Sequence, residues 1–86
     1  MNIPIYTSHA PWKAEFGGKT GGWGILSARE EIVAYVRQDM IHDEANANLI
    51  ASAPDLLSAL ERLAHPMADD DDLDFARAII AKAKGL

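Results

Sequence analysis

The sequence predicts an α+β protein: three antiparallel strands in a meander (βββ), then three helices (ααα), packed as two layers. Three observations carry this. Large apolar residues between 12 and 37 recur at the two-residue period of a strand, with glycine-rich or turn-forming breaks between them. From residue 42 the apolar spacing changes to the three-and-four pattern of helices. Pro54 and Pro66 punctuate that half where one helix must start and another must stop.

The elements follow in order. Residues 1–11 hold Pro4 and Pro11 and no periodicity, so they read as an irregular lead. Trp12 to Phe16 alternates large apolar and polar residues, a strand. Gly17 to Gly22 is a glycine-rich hairpin loop, and Trp23 to Ser27 resumes as a second strand. Ala28 to Glu31 suits a turn. Ile32 to Arg37 is β-branched and aromatic, the third strand. Short connections between consecutive strands imply an antiparallel meander. His42 to Ala53 is built of good helix formers, with Asp43 and Glu44 at the positive helix end and Ala45, Leu49, Ile50 and Ala53 facing inward. Ser52, Pro54 and Asp55 have the chemistry of a capped helix start. That second helix carries the stripe Leu56, Leu60 and Leu63, widened by Leu57 and Ala64, and stops at His65-Pro66. After a loop, Asp72 to Ala83 reads as the third helix, with Leu73, Ala76, Ile79, Ile80 and Ala83 inward and Gly85 as terminator. The buried sheet face would comprise Trp12, Phe16, Trp23, Ile25, Val33 and Tyr35. Leu49, Leu56, Leu60, Leu63, Ile79 and Ile80 would meet it.

With 86 residues, the chain is one domain, 1–86, divided into the irregular lead, a β-meander over 12–37 and a helical part over 42–85. A chain so short buries only about 60–65% of its unfolded surface, so a second chain would help its core. There is no cysteine, which removes disulfides, thiol catalysis and cysteine metal sites. No apolar run is long enough to cross a membrane, and the beginning lacks the basic-then-apolar pattern of a signal peptide. A soluble cytoplasmic protein is the expectation. The net charge is −5, and all of the excess lies in residues 42–86; residues 1–41 are balanced. Nonspecific nucleic-acid binding needs a basic patch, and none is present. An acidic half suits a basic partner surface, or simply solubility.

Few residues are arranged for chemistry. Gly18-Lys19-Thr20 has the end of a phosphate-binding loop, but Lys13 stands where the leading glycine belongs, and Gly21-Gly22 cannot open the helix that would hold the phosphate. A hairpin loop is the better reading. Asp69 to Asp74 invites a calcium reading, yet an EF-hand loop begun at Asp69 would place Asp74 at its glycine and Ile80 at its glutamate. These acids suit the start of the third helix instead. His9, His42 and His65 are scattered, and Ser8-His9 has no triad context. No catalytic residue, cofactor or metal site is expected, and the chain reads as no enzyme. Asn46 and Asn48 would tie up loop backbone or line a binding surface, and Trp12 and Trp23 would be core or stack a base.

Several stretches are similar to a family of short accessory proteins of bacteriophages and prophages. His9-Ala-Pro-Trp12 resembles that family's His-Thr-Pro-Gly-Pro-Trp opening, in a shortened form, and Val33-Ala-Tyr-Val36 resembles its third strand. The block Glu44-Ala-Asn-Ala-Asn-Leu-Ile-Ala-Ser-Ala-Pro-Asp-Leu-Leu-Ser-Ala-Leu60 is similar to Glu-Ala-Asn-Ala-Arg-Leu-Ile-Ala-Ala-Ala-Pro-Asp-Leu-Leu-Glu-Ala-Leu, with Asn48 in the place of the usual arginine. Residues 76–83 resemble its last helix. The resemblance covers roughly residues 9–85.

Such membership implies a protein that binds and disables host machinery, an anti-CRISPR-like antagonist of a defence complex. Asp69, Asp70, Asp71, Asp72 and Asp74 would then meet a basic partner surface. A different expectation is a sponge for a signalling nucleotide, with Trp12 or Trp23 on the base, Lys13, Arg29 or Arg37 on phosphates, and Asn46 and Asn48 nearby. A third is a structural or dimerisation module using the Leu56–Leu60–Leu63 stripe, with homo-oligomers as its product. No membrane partner is expected.

Overall fold

A computed structural model describes residues 8–19, 21–38 and 41–86. The sequence reading of residues 1–7, 20, 39 and 40 lies outside the described residues. The order is β1 (Lys13–Phe16), β2 (Trp23–Leu26), β3 (Ile32–Tyr35), α1 (Asp43–Ala51), α2 (Ala53–Ala64) and α3 (Asp70–Ala83). The strands form one antiparallel sheet in the order β1-β2-β3, as the short connections require. β1 and β2 close a hairpin with Phe16 opposite Trp23. Across its loop the Gly17 amide donates to the Gly22 carbonyl at 2.9 Å, with Gly17 at φ +77°, a left-handed conformation that glycine adopts without a Cβ clash. The second turn is tied by Ser27, whose Oγ accepts from the Arg29 and Glu31 amides at 3.2 Å each.

The register between β2 and β3 slips by one residue. Ile25 pairs with Ala34, but Leu26 pairs with Ile32, so Val33 is the extra residue of a bulge. This corrects the expected sheet face. Ala34 shares the face of Ile25, and Tyr35, expected to be buried, is turned outward and is 67% exposed. Phe16 is also 67% exposed; it lies at the end of the hairpin against Trp23, ring centroids 5.4 Å apart. The core on this side is Ile25, Val36 and Ala47, flanked by the half-buried Trp12, Trp23, Val33 and Ala51.

Of the three helices only α1 lies on the sheet, against β1 and β2. Its inward residue is Ala47, with Ala51 one turn on; Leu49, expected inside, is 54% exposed. Small side chains let the helix backbone approach the strands, and Ile25 and Val36 fill the space. α2 and α3 pack mainly on each other and do not lie on the sheet, although the end of α3 comes beside β1 across a shared depression. They run antiparallel, since Lys82 near the end of α3 pairs with Asp55 near the start of α2 at 2.9 Å, and Arg62 pairs with Asp72 at 2.8 Å. Between them lie Ala59, Ala76 and Ile79, backed by Leu56 and Phe75. Leu60, Leu63 and Ile80 therefore do not meet the sheet; they are 64%, 39% and 47% exposed. The reason is again size: two helices interlock most closely through alanines, which moves the leucines to the flank.

The helix ends show which sequence signals are used. Ser52 stands at the α2 start, yet its hydroxyl donates back to the Asn48 carbonyl at 2.8 Å and caps nothing; Asp55 goes to Lys82. α3 begins two residues earlier than its periodicity suggests, because Asp69 is its cap. Asp69 Oδ1 accepts from the Asp71 and Asp72 amides, and Asp72 Oδ2 accepts from the Asp69 amide at 3.0 Å, a complete capping box. At the other end Gly85, at φ +81°, lets the Leu86 amide reach the Ala81 carbonyl at 2.9 Å and its own amide reach Lys82 at 3.0 Å, the Schellman arrangement.

Candidate binding surfaces

The acidic run divides into two groups once its hydrogen bonds are assigned. Asp69 and Asp72 are consumed by the cap, and Asp72 also holds Arg62. The Arg62 hydrogen bond, with that from the Asp69 amide, holds the Asp72 carboxyl below the usual carboxylate range. Arg62 in turn lies over the Phe75 ring, 3.9 Å from its centroid, so the pair is part of the α2–α3 clamp. The carboxylates of Asp70, Asp71 and Asp74 take no part in the cap and these residues are exposed; Asp74 has Arg77 at 3.8 Å, a loose surface pair. Met67, in the turn just before them, is 79% exposed. The tip of the α2–α3 hairpin thus carries an exposed apolar side chain, followed along the chain by three exposed carboxylates. Sequence reading found the acids and passed over Met67, since a lone methionine in a loop carries no periodicity.

The residues expected to hold a nucleotide are separated. Trp12, Lys13 and Asn48 come together with Lys82, Pro11 and Ser52 around a depression of about 380 Å³ between β1, α1 and the end of α3. Trp12 Nε1 donates to the Ser8 carbonyl at 3.1 Å. Lys13 pairs with Glu30 at 2.8 Å; their mutual hydrogen bond raises the Lys13 pKa and lowers that of Glu30. Trp23 lies in the hairpin with Phe16, and Arg29 and Arg37 are exposed; none of the three lines this depression. Asn46 lines a different groove, with Leu49, Leu56 and Ile80. Lys82 was legible only as a charge complementing a helix end; nothing in its spacing announces that the end of α3 returns to β1.

A third depression, about 530 Å³, is bounded by Ser58, Glu61, Arg62, His65 and Asp72. Three of these side chains are engaged in the fold: Arg62 with Asp72, and His65 through Nδ1, which accepts from the Met67 amide at 3.0 Å. Among the described residues, no group of three or more His, Asp and Glu is disposed to hold a metal ion. Among the same residues, no helix is long and apolar enough to cross a membrane.

No curated protein and no solved structure matches this chain. A family model does, that of Salmonella phage P22 protein Y8K6, and it matches residues 1–86. With its whole length matched, the chain belongs to this bacteriophage protein family.

Proposed function

We propose that this phage protein works without catalysis, by occupying a surface of a host protein, as an anti-CRISPR-like antagonist of a bacterial defence system. The observation that supports the reading is the tip of the α2–α3 hairpin. There Met67 is exposed, and Asp70, Asp71 and Asp74, which follow it along the chain, are exposed carboxylates that the fold does not spend on capping. An adaptable apolar anchor bordered by charge is the composition of a protein-binding spot. A basic channel built for nucleic acid is the complementary partner, and its attraction would be weakened by salt. The test is plating of a restricted phage on bacteria carrying one of a panel of RNA-guided and other defence systems. Expression of the chain should restore plating for one system, and Asp70→Asn/Asp71→Asn/Asp74→Asn should not. If no system is relieved, or the triple variant relieves as well as the parent, the reading fails.

A second reading has its own observation. The convergence of Trp12, Lys13, Asn48 and Lys82 on a depression within the volume range of small-ligand sites suits an aromatic anion such as a signalling nucleotide. Lys13 pairs with the exposed Glu30 and Lys82 with the half-buried Asp55, and an exposed pair such as Lys13–Glu30 is weak enough for a phosphate to displace. Denaturing the purified protein and analysing the supernatant by mass spectrometry tests this. A released nucleotide, lost in Lys13→Ala/Lys82→Ala, supports the sponge. A clean supernatant together with no heat of binding to a nucleotide panel sinks it.

A further inference from the structure

We infer that Glu30 sets how tightly the Trp12 depression holds an anion, by occupying Lys13 until a ligand anion displaces it. The inference rests on the reading of that depression as a small-ligand site. Glu30 stands in the β2–β3 turn, where its amide donates to the Ser27 carbonyl at 3.0 Å and the Ser27 amide donates to the Glu31 carbonyl at 2.9 Å. This turn puts a left-handed residue at position 30, and Glu30 has φ +63°. Such hairpin loops favour glycine there, because a Cβ crowds the following carbonyl oxygen. Among the described residues, no other non-glycine residue has a positive φ. The glutamate carboxylate meets Lys13 at 2.8 Å, with both side chains about half exposed. An exposed pair returns no more stability than the left-handed backbone costs. Stability therefore does not account for a glutamate at this position.

What the carboxylate does change is the charge that Lys13 shows to the depression it lines. Lys82, the other cation there, is held by the half-buried Asp55 in a link between α2 and α3. Giving up Lys82 to a ligand would loosen that helix pair. Giving up Lys13 breaks an exposed contact between the start of β1 and a turn. Lys19 lowers the cost further. Its Nζ donates to the Glu30 carbonyl, and its charge acts on the Glu30 carboxylate. A carboxylate that leaves Lys13 thus stays beside a positive charge. Trp12 and Pro11 wall the same depression, so the incoming anion that fits best is a phosphate carried on a flat ring. The site neutralises its own lysine and takes up such a ligand by exchange.

Nuclear magnetic resonance of the full chain, titrated with adenosine monophosphate and with adenosine, tests the inference at the Trp12 indole N–H signal. Glu30→Gln should bind adenosine monophosphate about two- to fivefold tighter than the parent, the factor by which an exposed pair competes. Adenosine, which lacks the phosphate, should bind both alike. Glu31→Gln makes the same charge change one residue on and should leave the affinity where it was. Lys13→Ala should abolish the gain from Glu30→Gln. Glu30→Gly should melt no lower than the parent, because it relieves the left-handed backbone as it removes the pair. An affinity unchanged or weakened in Glu30→Gln, an equal gain in Glu31→Gln, or a marked fall in the melting temperature of Glu30→Gly overturns the inference and leaves the reading of the depression standing. No movement of the Trp12 signal with either probe, in the parent and in Glu30→Gln, overturns that reading and the inference with it.

Discussion

Asp69 separates what the acidic run does for the fold from what it offers to a partner. Replacing it with alanine removes two accepted hydrogen bonds, from the Asp71 amide at 3.1 Å and the Asp72 amide at 3.3 Å. The reciprocal bond from the Asp69 amide to Asp72 is made by backbone and survives. The Asp72 amide keeps its bond to the Asp69 carbonyl at 3.1 Å, and the freed Asp71 amide sits at an exposed helix end, so water replaces the lost acceptor and no buried-group penalty applies. The loss is that of an ordinary cap, about 1 kcal/mol and at most about 2. For a domain of this size, each 1 kcal/mol moves the melting temperature by roughly 4–8 °C. Asp69→Asn keeps the cap chemistry and should recover most of that. Asp70→Ala touches no cap bond and loses only its attraction to the helix end, about 0.3–1 kcal/mol. The assay is thermal unfolding followed by circular dichroism, at one fixed protein concentration because any assembly would couple to the midpoint. If Asp70→Ala costs as much as Asp69→Ala, or Asp69→Ala costs nothing measurable, the division of the acids is refuted.

Two further outcomes are expected. Ile25 is fully buried at the junction of the sheet and α1, so Ile25→Ala should cost about 2–5 kcal/mol in denaturant unfolding, and a loss below 1 would place the core elsewhere. Asp72 is more acidic folded than unfolded, so its contribution is complete above the ordinary carboxylate range and lost as pH falls through its lowered folded pKa. Asp72→Asn should therefore flatten the acid limb of melting temperature against pH, and an unchanged limb would show that the Arg62 contact does not persist in solution.

Element types and order were legible in the sequence because they rest on period and punctuation. The glycine-rich loop, the proline at the start of α2 and the glycine after α3 each act locally, and each is found where its chemistry predicts. The inward faces were less legible. Reading them by size favours leucine, and α1 alone offers Leu49 and Ile50 against Ala45, Ala47 and Ala51. The fold selects Ala47 and Ala51, since how close a backbone must come is set by the partner surface and is not encoded within the helix. Val33 shows the same limit in the sheet, where one extra residue reverses the expected side of Tyr35. Of the candidate site, the acids and Trp12, Lys13 and Asn48 were visible as residue types. Their grouping with Lys82, and the separation of Asp69 and Asp72 from the rest, depend on how α3 returns along α2.

The alanine contact between α2 and α3 changes which substitutions matter. At Ala59 and Ala76 the limiting quantity is room. An added isobutyl group would wedge the helices apart, stretching the Asp55–Lys82 and Arg62–Asp72 links at opposite ends of the pair. A survey that trims large residues to alanine would pass over these positions, having nothing there to remove. In this helix pair the smallest letters fix the spacing, and several of the larger ones, Leu60 and Ile80 among them, are left to face outward.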